Sequence, residues 1–183
     1  MLSALWLPVL VSAVLVFIAS SIIHMVMPWH KNDYRTVPNQ DAAMDAIRPL
    51  AIPPGDYMIP RPTTRDEMKS PEFAEKLKKG PVLMLTVMPN GPWTMGSTFV
   101  YWFLYLVLVA ALAGHVAWGA HIHGDHKAAL FHTVALTAFG GYSLGLWQLS
   151  IWYRRAWSTT LKSTFDGVIY ALITGATFVW LAR

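Results

Sequence analysis

Seven histidines carry most of the chemistry that this sequence offers, and five of them, His115, His121, His123, His126 and His132, crowd into one stretch. The tightest piece reads His121-Ile-His123-Gly-Asp125-His126. Three imidazoles and a carboxylate at that spacing are a donor set for zinc or copper, which take nitrogen and oxygen ligands at about 2.0–2.2 Å. His115 and His132 flank the string on two apolar segments at similar depth. A pair placed so is able to ligate haem b axially from both sides. The competing expectation is that the loop histidines are solvated and the two helix histidines hydrogen-bond within the bundle.

Two further features lie elsewhere. His24-Met-Val-Met-Pro-Trp-His30 mixes thioether and imidazole, donors that suit Cu(I). Methionine also fills gaps and faces lipid throughout such chains, so anchoring at a membrane boundary is the preferred reading. Asp166 is the one acid that approaches an apolar segment, and an intramembrane carboxylate is a functional candidate by default. Ser163-Thr-Phe-Asp166 also resembles a capping box opening a helix, which is the expected role, with a proton or ion relay through Tyr170 and Thr174 as the alternative.

The string H-x-H-x-D-H occurs in the metallo-β-lactamase superfamily, where it follows a strand and works with metal ligands far downstream. Here it falls in a short turn between two apolar segments and no histidine follows His132, so the match is read as coincidence. Cysteine is absent, which excludes disulfides and thiolate chemistry. No nucleophile-elbow, phosphate-loop, dinucleotide or H-E-x-x-H motif is present.

The elements that must position these residues are set by hydrophobicity. Of the 183 residues, 55% are apolar and 13% charged, about half the charge of an ordinary soluble domain. Crossing ~30 Å of hydrocarbon takes about 20 apolar residues in a helix. Four segments qualify, at about 4–27, 97–119, 128–151 and 163–182. The expected fold is an all-α membrane protein: one membrane domain over 1–183, a four-transmembrane-helix bundle with a cytoplasmic loop of about 70 residues at 28–96.

Charge supplies the orientation. Nine of the fourteen Lys and Arg residues lie in that loop, and Arg154, Arg155 and Lys162 lie between the third and fourth segments. Basic loops stay in the cytoplasm, which puts both termini outside a cell inner membrane. Trp29, Trp93, Trp152 and Trp157 then fall at the inner boundary, and Trp6, Trp118 and Trp180 near the outer one. The net charge of +4 is accounted for by this topology, and no nucleic-acid partner is expected.

Within the loop, the pattern predicts a helix from Asn39 or Gln40 to Ile47. It predicts a second one capped by Ser70, opened by Pro71 and stopped by Gly80. The apolar run Val82–Met88 is too short to span and reads as a strand or an interfacial segment; as a strand it pairs by preference with Tyr57–Ile59, with a neighbouring protein's sheet edge as the alternative.

Small residues mark the packing faces: Ala110, Ala113, Gly114 and Ala117 in the second segment, Gly141 and Gly145 in the third, Gly167, Ala171 and Gly175 in the fourth. They serve either a compact monomer or contacts with a second copy or a partner protein. The functional expectation is a non-catalytic subunit or accessory factor of a larger membrane complex. A copper, zinc or haem protein using the outer histidines is the alternative, and a small ion or proton transporter using Asp166 is the third.

Overall fold

The computed structural model describes residues 2–92, 94–122 and 125–181. The order of elements is α1 Leu2–Ser21, α2 Gln40–Ile47, β1 Gly55–Ile59, α3 Arg65–Lys69, α4 Pro71–Lys79, β2 Leu83–Val87, α5 Gly96–Gly119, α6 Lys127–Ser143, α7 Trp147–Tyr153 and α8 Trp157–Leu181. The chain divides into two compact units, one of residues 1–35 and 94–183 and one of residues 36–93.

In the first unit four helical stretches are long and apolar enough to cross a membrane: Leu5–Val26, Gly96–Gly119, Lys127–Tyr153 and Trp157–Leu181. Three match the sequence expectation closely. The fourth begins at Trp157, several residues before the expected start near 163, because the chain turns at Arg154, whose φ is +58°, and at once resumes helix. Charge had marked Lys162 as a boundary, yet Lys162 is paired and so rides inside the helix. The capping-box reading of Ser163 and Asp166 falls with that boundary. Ser163 Oγ donates to the Thr159 carbonyl at 3.0 Å, a bond made in a helix interior.

The helices close into a ring. α1 packs on α5 and α8, and α6 packs on α5 and α8, so chain neighbours touch and the first span meets the last. Ala13, Val16, Leu106, Ala110, Ala113, Val134 and Ala138 are fully buried between them. Leucines and valines instead cover the outside, at Leu10, Val14, Leu104, Leu108, Leu112 and Leu136, as a lipid-facing surface requires.

Most of the small-residue faces meet within the chain. A Cβ on Gly141 would stand 3.0 Å from Val109, one on Gly175 3.0 Å from Ala135, and one on Gly114 2.8 Å from Phe178. Gly145, the other half of the expected G-x-x-x-G pair, has nothing within 4 Å. Side chains also bridge the helices: Trp102 Nε1 donates to Ser20 Oγ at 2.9 Å, and Trp147 Nε1 to Thr164 Oγ1 at 3.0 Å. Each such bond contributes on the order of 1 kcal/mol in a bilayer.

The second unit holds three short helices where two were expected. Asn39 caps α2 by accepting from Ala42 N at 3.0 Å, and Ser70 caps α4 by accepting from Phe73 N at 3.1 Å. The additional helix, α3, is capped by Thr64, which accepts from Glu67 N. Glu67 in turn accepts from the Thr63 amide and hydroxyl, both at 2.7 Å, and these bonds hold its carboxyl below the usual carboxylate range. Thr64-x-x-Glu67 is a capping-box signature, so α3 was readable and overlooked. β1 and β2 pair antiparallel, Tyr57 opposite Leu85 and Ile59 opposite Leu83. Thr86 Oγ1 closes the pair across the strands to Asp56 Oδ1 at 2.7 Å.

Candidate metal centre

The end of the first span is built to turn. Ser20 and Ser21 both donate their hydroxyls to the Phe17 carbonyl, and the helix then widens into a π turn over Ile22–Val26, closed by Met27 N to Ile22 O at 3.0 Å. π turns within helices occur often at functional positions. Met27 precedes a proline, whose ring forces it out of helical geometry, and it is extended at φ −80°, ψ 144°. Pro28 then opens a short 3-10 turn over Pro28–His30. The reversal lays the His30 ring on the His24 ring, centroids 4.2 Å apart and planes 27° from parallel.

On α8, Lys162, Phe165 and Asp166 share one face because they are three and four residues apart. All three meet the turn. Asp166 Oδ2 lies 2.7 Å from His30 Nε2. Lys162 Nζ donates to the Trp29 carbonyl at 2.8 Å and to Asp33 Oδ1 at 2.9 Å, and Phe165 packs on the Trp29 ring at 6.0 Å. Asp33 Oδ2 completes the circuit, 2.6 Å from His30 Nδ1.

Both His30 nitrogens therefore face carboxylate oxygens, and a carboxylate accepts only. Two simultaneous bonds to ionised carboxylates need both ring nitrogens protonated. In that state His30 and Lys162 balance Asp33 and Asp166, and the quartet is neutral. Neutrality matters because Asp166 is only 2% exposed, and a buried charge without a partner is costly. Burial pushes the Asp33 carboxyl up, but hydrogen bonds from His30 and Lys162 outweigh it and hold the group below its usual value.

The same residues fit a metal ion. His24, His30 and Asp166 each offer one ligand atom, all within 4.8 Å of one another, and no other such group of three occurs among the described residues. Two nitrogens and one oxygen suit Zn²⁺ or Cu²⁺. Metal-bound histidines give their second N–H to a carboxylate, and Asp33 already occupies that position on His30, itself steadied by Lys162. Ligands at ~2.1 Å on tetrahedral corners stand ~3.3 Å apart, so an ion would replace the His30 Nε2 proton and open the present 2.7 Å contact slightly.

The residues singled out from sequence fare differently. Asp166 sits at the centre of the cluster, bound to a histidine 136 positions away. His115 on α5 and His132 on α6 are both exposed. His121 ends the turn after α5 in a left-handed conformation, φ +56°, while His126 Nε2 and Asp125 Oδ2 are 3.5 Å apart and exposed. His123, with Trp93 and Arg183, lies outside the described residues. His24 and His30 were noticed as a boundary motif, whereas Asp33 was missed. Its signal was its place three residues after His30, next to a turn at the same boundary as Lys162.

Lys162→Met tests the outer support of this circuit. Asp33 would keep only His30 as partner, and the expected loss is about 1–2 kcal/mol, discounted because the ammonium is about a quarter exposed. Thermal unfolding in detergent reads it, and an unchanged midpoint would remove Lys162 from the network.

Four helices able to cross a membrane, the first and last joined at one end by a His–Asp–Lys circuit, define the class as a helical multi-pass protein by length and composition. No protein-family model, curated protein or solved structure matches the chain.

Proposed function

We propose that this chain is a multi-pass inner-membrane protein that binds a divalent transition-metal ion, zinc or copper, through His24, His30 and Asp166 at the cytoplasmic boundary of its bundle. The convergence of three ligand atoms within 4.8 Å, with Asp33 waiting on the far nitrogen of His30, is the observation that carries the reading. The orientation rests on the twelve Lys and Arg residues of loop 28–96 and of the turn before and into α8, with Lys127 and Arg183 opposite. The exposed indoles of Trp29, Trp152 and Trp157 at one boundary and of Trp6 and Trp180 at the other support it.

Purified protein in mild detergent, equilibrated with Zn²⁺ or Co²⁺ and desalted, is expected to hold one ion per chain. Loss of that ion in His24→Ala, with retention in a His121→Ala/His126→Ala variant, separates this centre from the outer histidine turn. Absence of stoichiometric metal would overturn the reading.

A second reading has its own observation. The 2.7 Å contact between His30 and Asp166 is already a hydrogen bond, continuous through His30 with the one to Asp33. As such it clasps the first span to the fourth, and the chain then serves as a non-catalytic subunit or accessory factor of a larger membrane complex. Metal-free protein that co-purifies with fixed partners is the outcome this reading expects.

A further inference from the structure

Beyond Asp166, α8 carries a polar seam where it packs on α6 and α7. Most of its hydroxyls are answered: Ser150 Oγ and Thr160 Oγ1 share a bond of 2.7 Å, Thr174 Oγ1 donates to the Tyr170 carbonyl at 2.8 Å, and Thr177 Oγ1 to the Ile173 carbonyl at 2.7 Å. The Tyr170 hydroxyl is not. Tyr170 is 4% exposed, and among the described residues its oxygen is the buried side-chain polar atom that has no hydrogen-bond partner. Tyr142, packed edge-on to it with centroids 5.7 Å apart, is poorly served as well. Its hydroxyl reaches only Thr174 Oγ1, at 3.5 Å. Hydroxyl pairs normally bond at about 2.7–2.8 Å. The Thr174 proton is already given to a carbonyl, so Tyr142 must donate across that long gap.

A span offers no bulk water to repair such a defect, and buried polar groups left unpaired are rare in native structures. Groups of this kind are commonly bridged by an internal water that finds two to four polar partners. Three stand near, two on the same face of α8 and one on α6. Asp166 precedes Tyr170 by four residues and Thr174 follows it by four, placing both one turn away, and Tyr142 comes from α6.

We propose that the Tyr170 hydroxyl binds an internal water, shared with the Tyr142–Thr174 pair and the Asp166 carboxylate. The ligand is water itself. Its effect is to continue the hydrogen-bonded chain Asp33–His30–Asp166 into the middle of the bundle. The water stands on the orphan hydroxyl and not on metal binding, so failure of the metal reading leaves it intact.

The test uses the full chain in detergent or nanodiscs. A density map that resolves ordered solvent is expected to show a water within hydrogen-bond distance of the Tyr170 hydroxyl. Tyr170→Phe removes an anchor of that water and is expected to lower the unfolding midpoint by about 2–4 °C. A dry hydroxyl in the map overturns the proposal, whatever the variant does. So does a Tyr170→Phe protein that melts at or above the wild-type temperature, because deleting an unanswered hydroxyl is stabilising while deleting an answered one is not.

Discussion

Replacing His30 with alanine is expected to abolish stoichiometric metal binding and to loosen the junction of α1 with α8 in the same molecule. The metal loss follows from removing a ligand nitrogen together with the ring that Asp33 orients. Changing an outer partner alone typically costs about 10–100-fold in affinity, so loss of the ligand is expected to exceed about 100-fold. The structural loss follows from Asp166. Among the described residues its partner is His30 Nε2, and it is 2% exposed, so the variant leaves a buried carboxylate without that partner. Breaking a buried pair from one side costs about 3–5 kcal/mol. His24→Ala makes the informative comparison, because His24 is exposed and stacks on His30 without belonging to the Asp33–His30–Asp166 bonds. It is expected to lose metal while melting close to wild type. Elemental analysis, the visible spectrum of the Co²⁺ form and thermal unfolding read both variants. Metal retained in His30→Ala would sink the proposed centre, and an unchanged midpoint would sink the clasp.

Much of this molecule was legible in the sequence because its signals are local. Spans are contiguous apolar runs, Ser70 and Asn39 announce caps three residues ahead, and Tyr57–Ile59 and Leu83–Val87 are the apolar runs in their unit able to answer one another's backbone. The start of α8 was misplaced for a physical reason. A charge usually ends a span, but Lys162 finds a carboxylate and a carbonyl on the first span's turn, so the helix keeps it. The site was illegible for a related reason. His30 and Asp166 lie at opposite ends of the chain, and only closure of the ring through the α1–α8 contact brings them together. Of the five histidines close in sequence, His115 and His132 are exposed on α5 and α6, and His123 lies outside the described residues.

Gly167→Val is the substitution expected to disturb the bundle most by shape alone. A Cβ at this position would fall 1.8 Å from Ser143 Oγ, 3.2 Å from Ser143 Cβ and 3.3 Å from Tyr142 Cβ. The hydroxyl is able to rotate about one bond, giving up its 3.4 Å contact with the Thr164 carbonyl, whereas the two Cβ atoms are fixed to the α6 backbone. Alanine is therefore expected to cost less than valine. Valine's two further methyl groups leave α6 and α8 no choice but to separate, and overpacking of this kind costs about 1–3 kcal/mol or more. Helices in lipid are held by close packing, not by exclusion of water, so a wedge is not offset elsewhere. Asp166 is the preceding residue, and a shift of α8 moves its carboxylate away from His30. Gly167→Val is accordingly expected to lower the unfolding midpoint by several degrees and to weaken metal binding although it touches no ligand. Gly145→Val is the control, since a side chain there meets nothing within 4 Å. Equal effects from the two would mean that helix approach at Gly167 does not set the geometry of the site.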